Sequence, residues 1–92
     1  YRQVGASLAD KSIQLLKECY QPGAGTGRHE LTHEGEECGI IRSGRLDVTV
    51  GDEVAVLGQG DAYYFKSSLP HQFQNIGNEP CELISACSPP SF

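Results

Sequence analysis

The 92-residue chain is predicted to be all-β, a sandwich or small barrel, from three observations. Eleven glycines and five prolines punctuate it at short, regular intervals. The runs between them, four to nine residues long, favour strands. No segment shows convincing helical spacing of apolar residues, a weak turn in the first ten residues aside. About eight short strands spaced by 8–12 residues are the pattern of such folds.

Taken in order, the first run is 12–20 (SIQLLKECY), stopped by Pro22-Gly23. Residues 38–42 (CGIIR) form the next, ended by Ser43-Gly44. Residues 45–50 alternate cleanly, with Leu46, Val48 and Val50 on one face and Asp47 and Thr49 on the other. Gly51-Asp52 reads as a two-residue hairpin turn into EVAVL. The remaining runs are 62–65 (AYYF), 71–76 (HQFQNI) and 81–87 (CELISAC), with Asn78-Glu79-Pro80 as a loop. The expected core draws on Leu46, Val48, Val50, Val54 and Val56.

The length supports one domain over residues 1–92. A domain this small buries only roughly 60–65% of its unfolded surface, so a partner chain would help it. The net charge of −5 argues against this segment gripping nucleic acid itself and leaves metal ions and cationic small molecules as partners. No apolar run approaches the ~20 residues of a membrane helix, and no signal peptide is visible. Because the first residue is Tyr1, a longer natural product is expected. Cys19, Cys38, Cys81 and Cys87 have no CxxC spacing and sit mostly in apolar runs, so free buried thiols in a cytoplasmic protein are expected rather than disulfides.

The chemistry-bearing residues are few. His33, Glu37 and His71 supply two imidazoles and a carboxylate, which can hold one face of a divalent ion such as Zn, Fe, Mn or Ni. Spacing alone equally allows scattered surface or core histidines. Glu34 and Glu36 read as a solvated turn, while Glu37, leading into an apolar strand, is expected to point inward and to need a partner there. A cationic amine could be that partner. His71, Phe73 and Asn75 share one strand face. Of the adjacent Tyr63 and Tyr64 one should face inward, and Tyr64 is preferred; with Phe73 and Glu37 it would make an aromatic and acidic wall suited to an ammonium group. Phe65 is expected in the core and Asn75 at a strand end as a hydrogen-bonder. Arg28, Arg42, Arg45 and Lys66 read as solubility charges. No Ser-His-Asp order, phosphate loop or CxxC pair is present, so no enzyme is predicted.

The order of these residues resembles the cupins, whose two motifs are G(X)5HXH(X)3,4E(X)6G and G(X)5PXG(X)2H(X)3N. Gly25, His33, Glu37 and Gly44 stand at the offsets of the first, and Gly60, His71 and Asn75 at those of the second. Leu31 replaces the first motif histidine, and Lys66 and Ser68 replace the usual Pro and Gly. His29 shares Leu31's face on a regular strand and could supply a fourth ligand after a shift. The resemblance implies a cupin double-stranded β-helix, a small jelly-roll barrel, and carries the metal-ligand role to His33, Glu37 and His71. Tyr20-Gln21-Pro22-Gly23, the run 33–39 and the ending 84–92 further resemble the C-terminal sensor domain of XRE-type helix-turn-helix regulators. Within that group the chain resembles members that also lack the first motif histidine. That likeness implies an effector-binding barrel, a homodimer, and DNA contact only through a separate N-terminal domain. The competing expectation is a small metal-dependent cupin enzyme, a dioxygenase or isomerase, with His33, Glu37 and His71 around the metal.

Overall fold

The computed structural model describes residues 12–26 and 34–88. Seven strands follow one another: β1 (Gln14–Tyr20), β2 (Glu36–Ser43), β3 (Leu46–Val50), β4 (Glu53–Leu57), β5 (Ala62–Lys66), β6 (His71–Gln74) and β7 (Cys81–Ser88). They form two antiparallel sheets, ordered β1-β7-β2-β5 and β4-β3-β6. This is the double-stranded β-helix expected, with no helix among the described residues. None is therefore long and apolar enough to cross a membrane. The weak turn expected in the first ten residues lies outside the described residues.

Ile41, Leu46, Val48, Phe65, Phe73, Cys81 and Leu83 form the core between the sheets, with Tyr20, Val50, Leu57 and Tyr63 packed against it. Full burial of such a side chain stabilises by roughly 1.5–3 kcal/mol. Asn75, fully buried, ties the end of β6 to its neighbours: its Nδ2 donates to the carbonyls of Tyr20 (2.9 Å) and Glu79 (2.8 Å), and its Oδ1 accepts from Gly77 N (2.9 Å).

Two expectations about the core need correction. Val54 and Val56 face solvent, 65% and 51% exposed. The cause lies in the turn. Gly51, at φ 57°, closes a two-residue hairpin that pairs Val50 with Glu53. Directly paired residues share a face, so an inward Val50 carries Glu53, Ala55 and Leu57 inward and turns the valines out. The four cysteines are unpaired, as expected, but only Cys81 is buried; Cys19 and Cys38 are exposed.

The four-stranded sheet is unusual on its outer side. Its register sets Leu15, Ala86, Cys38 and Tyr64 in one row across the strands and Lys17, Ile84, Ile40 and Ala62 in the next. Ile13, Leu15, Ile40 and Tyr64 are all exposed there, Leu15 by 60%.

Candidate functional site

The inner face of the same sheet is where the polar chemistry gathers. The register that turns Cys38 and Ile40 outward turns Glu37, Gly39 and Ile41 inward. Glu37 is paired with Phe65 across β5 and with Cys87 across β7; Gly39 is paired with Tyr63 and Ser85. Gly39 has a packing reason. A Cβ there would lie 2.6 Å from the Tyr63 ring, so the tyrosine lies flat across the bare backbone. That posture brings the Tyr63 hydroxyl to Glu37 Oε2, to which it donates at 3.0 Å.

Two strands from β2, across β7, Glu18 of the edge strand β1 faces the same side. Its Oε2 accepts from Ser85 Oγ at 2.9 Å, and Tyr20 also hydrogen-bonds its carboxylate. Gln14, at the start of β1 and buried, accepts a weak Cys87 Sγ contact at 3.6 Å. Burial first, then the Glu37 carboxylate, pushes the Tyr63 phenol far above its ordinary value; burial first, then Glu18, does the same for Tyr20. Both phenols therefore stay protonated donors. The described lysines and arginines, Lys17, Arg42, Arg45 and Lys66, are all exposed. Glu18 and Glu37 thus both meet hydroxyl donors on the inner face.

The aromatic wall comes from both sheets. Phe73, buried, meets Tyr63 edge-on (centroids 5.2 Å), Tyr20 (6.3 Å) and Phe65 (6.2 Å). Tyr63 stacks on Phe65 at 5.8 Å, and Phe65 lies 4.7 Å from the His71 ring. On the other side of these rings a cavity of about 480 Å3 opens between β4 and β5. Val48, Val50, Ala55, Leu57, Phe65 and Leu69 line it, with Tyr63 as a shared wall and Tyr64, Glu53 and Lys66 at its open side.

Of the residues singled out by sequence, Glu37 and Phe73 do face inward. His71 is half-buried on the inner face beside Val50, and its Nδ1 lies 2.8 Å from the Leu69 carbonyl. Donation from Nδ1 leaves the lone pair on Nε2, the tautomer a metal ligand needs. Phe65 packs on His71 and is the register partner of Glu37. His33 and His29 lie outside the described residues, and among those described no group of three metal-ligating side chains gathers. Tyr64 corrects an expectation. It is 59% exposed on the outer face, where its hydroxyl bonds Glu36 and that contact raises its phenol pKa. Tyr63 is the inward member of the pair because it shares parity with Phe65, Glu37's partner.

Glu18, Ser85 and Tyr63 were not singled out from sequence as site residues. The alternation in LLKECY, with Leu16, Glu18 and Tyr20 in phase, carries a signal, but without the register that phase does not say which side is the interior.

The sequence profile of the cupin domain family matches residues 16–87. The HTH-type transcriptional regulator PuuR of Escherichia coli is 32% identical over 83 residues, covering 90% of this chain and 44% of that protein. The chain thus spans less than half the length of this relative. Among solved structures, the cupin domain of an XRE family transcriptional regulator from Enterobacter cloacae superposes with a TM-score of 0.77 at 20% identity, covering 87% of this chain and 84% of that one. BH2720 from Bacillus halodurans gives a TM-score of 0.81 at 22% identity, covering 88% and 65%. With the two-sheet barrel, the inward Glu37 and His71 and the matching profile all in register, the chain belongs to the cupin domain family.

Proposed function

We propose that this chain is the effector-sensing domain of a DNA-binding transcriptional regulator, and that the effector is a cationic amine held inside the barrel. The observation that carries the ligand class is the pair of inward carboxylates, Glu18 and Glu37, set among Tyr20, Tyr63, Phe65 and Phe73. An ammonium group answers both the charge and the ring faces. The similarity to PuuR supports the regulatory setting. The effector binds one arrangement of the regulator better than another and so shifts the affinity of a DNA-binding segment outside the barrel. Titration with a panel of amines, carboxylates and sugars tests this. Amines bind, and Glu37→Gln weakens them at least tenfold, the ~1.5–3 kcal/mol of a charged hydrogen bond. Binding confined to sugars or acids would overturn the reading.

A divalent ion is a second possible occupant. His33, Glu37 and His71 would hold it, and it would supply positive charge and an open coordination position. The His71 Nδ1 contact to the Leu69 carbonyl favours that role. Elemental analysis of protein purified without a metal column decides. Near-stoichiometric metal would favour the metal-dependent enzyme reading, a dioxygenase or isomerase, over the amine sensor.

The partner proposed for the outer apolar face is a second copy of this chain. Four strands ~4.8 Å apart and about seven residues at ~3.4 Å rise give a face of roughly 19 by 24 Å. That is about 460 Å2, short of the roughly 600–1,000 Å2 per partner of standard specific pairings, so flanking loops would have to add to the contact. The rim is self-complementary. Lys17, Arg42 and Lys66, three of the chain's seven cationic residues, share this face with Glu36 and Glu82. Two copies of a chain of net charge −5 can approach most easily where charge is balanced. Ile40→Glu is expected to convert a dimer to a folded monomer in light scattering; an unchanged dimer would sink this interface.

A further inference from the structure

We infer that the cavity between β4 and β5 is a second ligand site, separate from the carboxylates of the inner face, and that it takes an α-amino acid with an apolar side chain: the ammonium at Glu53, the carboxylate at Lys66, the side chain along Val48, Ala55 and Leu57. All five residues line that one cavity. The site is independent of the effector proposed above.

The two seams of the sandwich differ. At the first, the chain after β1 runs along β6: Gly23 N donates to the Asn75 carbonyl (2.9 Å), Thr26 N to that of Phe73 (2.9 Å), and Phe73 N to Thr26 Oγ1 (3.0 Å). At the second, β4 and β5 are both edge strands, and no backbone hydrogen bond joins them among the described residues. The cavity lies in that open seam, and its volume of about 480 Å3 is within the range of small-ligand sites. The β3–β4 hairpin explains the space. With Val54 and Val56 turned outward, Ala55 is the middle inward side chain of β4, opposite Val48. A small residue there leaves room that a valine would have filled.

The cavity is apolar along its length and charged at one end. The chain reverses between β4 and β5 at Gly58–Asp61, where Asp61 N donates to the Gly58 carbonyl and Gly58 N to Asp61 Oδ2, both at 2.9 Å. Leu57 and Ala62 therefore stand at the turn end, and Glu53, the first residue of β4, and Lys66, the last of β5, at the other. Neither Glu53 nor Lys66 is in an ion pair among the described residues, with each other or with a third group. The register partner of Lys66, Glu36, bonds the Tyr64 hydroxyl. Two opposite charges at one mouth select the occupant. A ligand apolar throughout would cover them and meet neither. An amine would meet Glu53 and set its own charge beside Lys66, and an acid would do the converse. A zwitterionic head meets both, and an apolar side chain then follows the lining toward Leu57.

The experiment is an NMR titration of the chain with L-alanine, L-2-aminobutyrate, L-norvaline and L-norleucine, and with hexanoate and pentylamine, which are norleucine without its amino group and without its carboxylate. Each methylene of the series is expected to tighten binding about three- to fourfold, the increment for burying one CH2 group. Norleucine is expected to bind about two- to fivefold more tightly than hexanoate and than pentylamine, the range of an exposed ion pair, and to shift the backbone signals of β4 and β5. Glu53→Gln is expected to lower norleucine to the affinity of hexanoate, and Lys66→Gln to that of pentylamine; both positions are exposed, so the fold tolerates them. Ala55→Phe, also at an exposed position, is expected to flatten the series. Norleucine binding no more tightly than hexanoate or pentylamine overturns the inference, as does the absence of binding or of any dependence on chain length. So does norleucine binding that survives all three substitutions, or that shifts β1 and β2 around Glu18 and Glu37 in place of β4 and β5. The amine reading stands in each of these cases, since its own test is the weakening of amine binding in Glu37→Gln.

Discussion

The two faces of the four-stranded sheet make opposite choices. Along β2 the outward residues are Glu36, Cys38 and Ile40, and the inward ones Glu37, Gly39 and Ile41. Along β1 the outward side carries Leu15 and Lys17, with Ile13 just before it, and the inward side Gln14, Leu16, Glu18 and Tyr20. An antiparallel sheet with one solvated face ordinarily puts apolar residues in and polar residues out. Here much of β1 and β2 does the reverse. An inward carboxylate costs desolvation, and an outward cluster of aliphatic residues is more than a monomer ordinarily exposes. Under the function proposed above, a ligand on the inner face and a second copy on the outer face would each offset one of these costs.

The largest effect that separates the faces is expected at Gly39. Gly39→Val puts carbon where the Tyr63 ring lies, 2.6 Å away at Cβ. Overpacking of this kind costs typically 1–3 kcal/mol. For a domain of this size that is a melting temperature lower by roughly 5–20 °C. The variant also tilts Tyr63 off Glu37, so amine binding is lost with it. Pairing it with Tyr63→Ala sharpens the point. The double variant is expected to be less destabilised than the sum of the singles, because the clash is between those two side chains. Strict additivity in thermal melts would show that the ring does not lie over Gly39.

How much of this was legible in the sequence follows from parity. The β3–β4 hairpin, the inward Glu37 and the inward Phe73 could be read because each depends on alternation within one strand. What failed depends on alternation between strands. Val54 and Val56 look like core residues until the two-residue turn is used to fix their phase against Val50. Tyr63 and Tyr64 cannot be told apart within AYYF; only the pairing of Phe65 with Glu37 decides. Glu18 and Ser85 meet across β1 and β7, which are 67 positions apart in the chain, and no local pattern announces that contact. The outer apolar face was hidden for the same reason. Ile13, Leu15, Ile40, Ile84 and Tyr64 come from four separate runs and become a surface only when the strands are laid side by side.

A middle-sized effect is expected with pH. Tyr63 holds its proton more tightly in the folded chain than in the unfolded one, whose value is near 10.0. Such a group stabilises the fold fully below that value, and progressively less as pH rises above it, because the unfolded chain ionises first. Thermal melts are therefore expected to change little between pH 8 and about pH 9.5 on account of this group and to fall above about pH 10. Tyr63→Phe keeps the ring on Gly39 and removes the bond to Glu37, at about 1 kcal/mol near neutral pH. It should also make the alkaline fall shallower. Tyr20, shifted in the same direction by burial, supplies the remainder. An alkaline limb equally steep in Tyr63→Phe would mean that the Tyr63 phenol is not in the buried, carboxylate-facing setting described.

The smallest effect is the control for the other two. Tyr64 is the immediate neighbour of Tyr63, also bonds a glutamate, and also has a raised phenol pKa, but its largest cause is the Glu36 contact and not burial. Its hydroxyl stands on the outer face, where water replaces a lost partner at little cost. Tyr64→Phe is expected to change stability by no more than about 0.5 kcal/mol, the ordinary range for a surface substitution. It should leave amine affinity where it was and, since the ring remains, leave self-association intact. Two adjacent tyrosines, each beside a glutamate and each touching the cavity between β4 and β5, would then differ by where their hydroxyls stand: Tyr63's on the inner face at Glu37, Tyr64's on the outer face at Glu36. A loss of amine affinity in Tyr64→Phe comparable to that in Tyr63→Phe would break the assignment of the inner face to the ligand and the outer face to the partner.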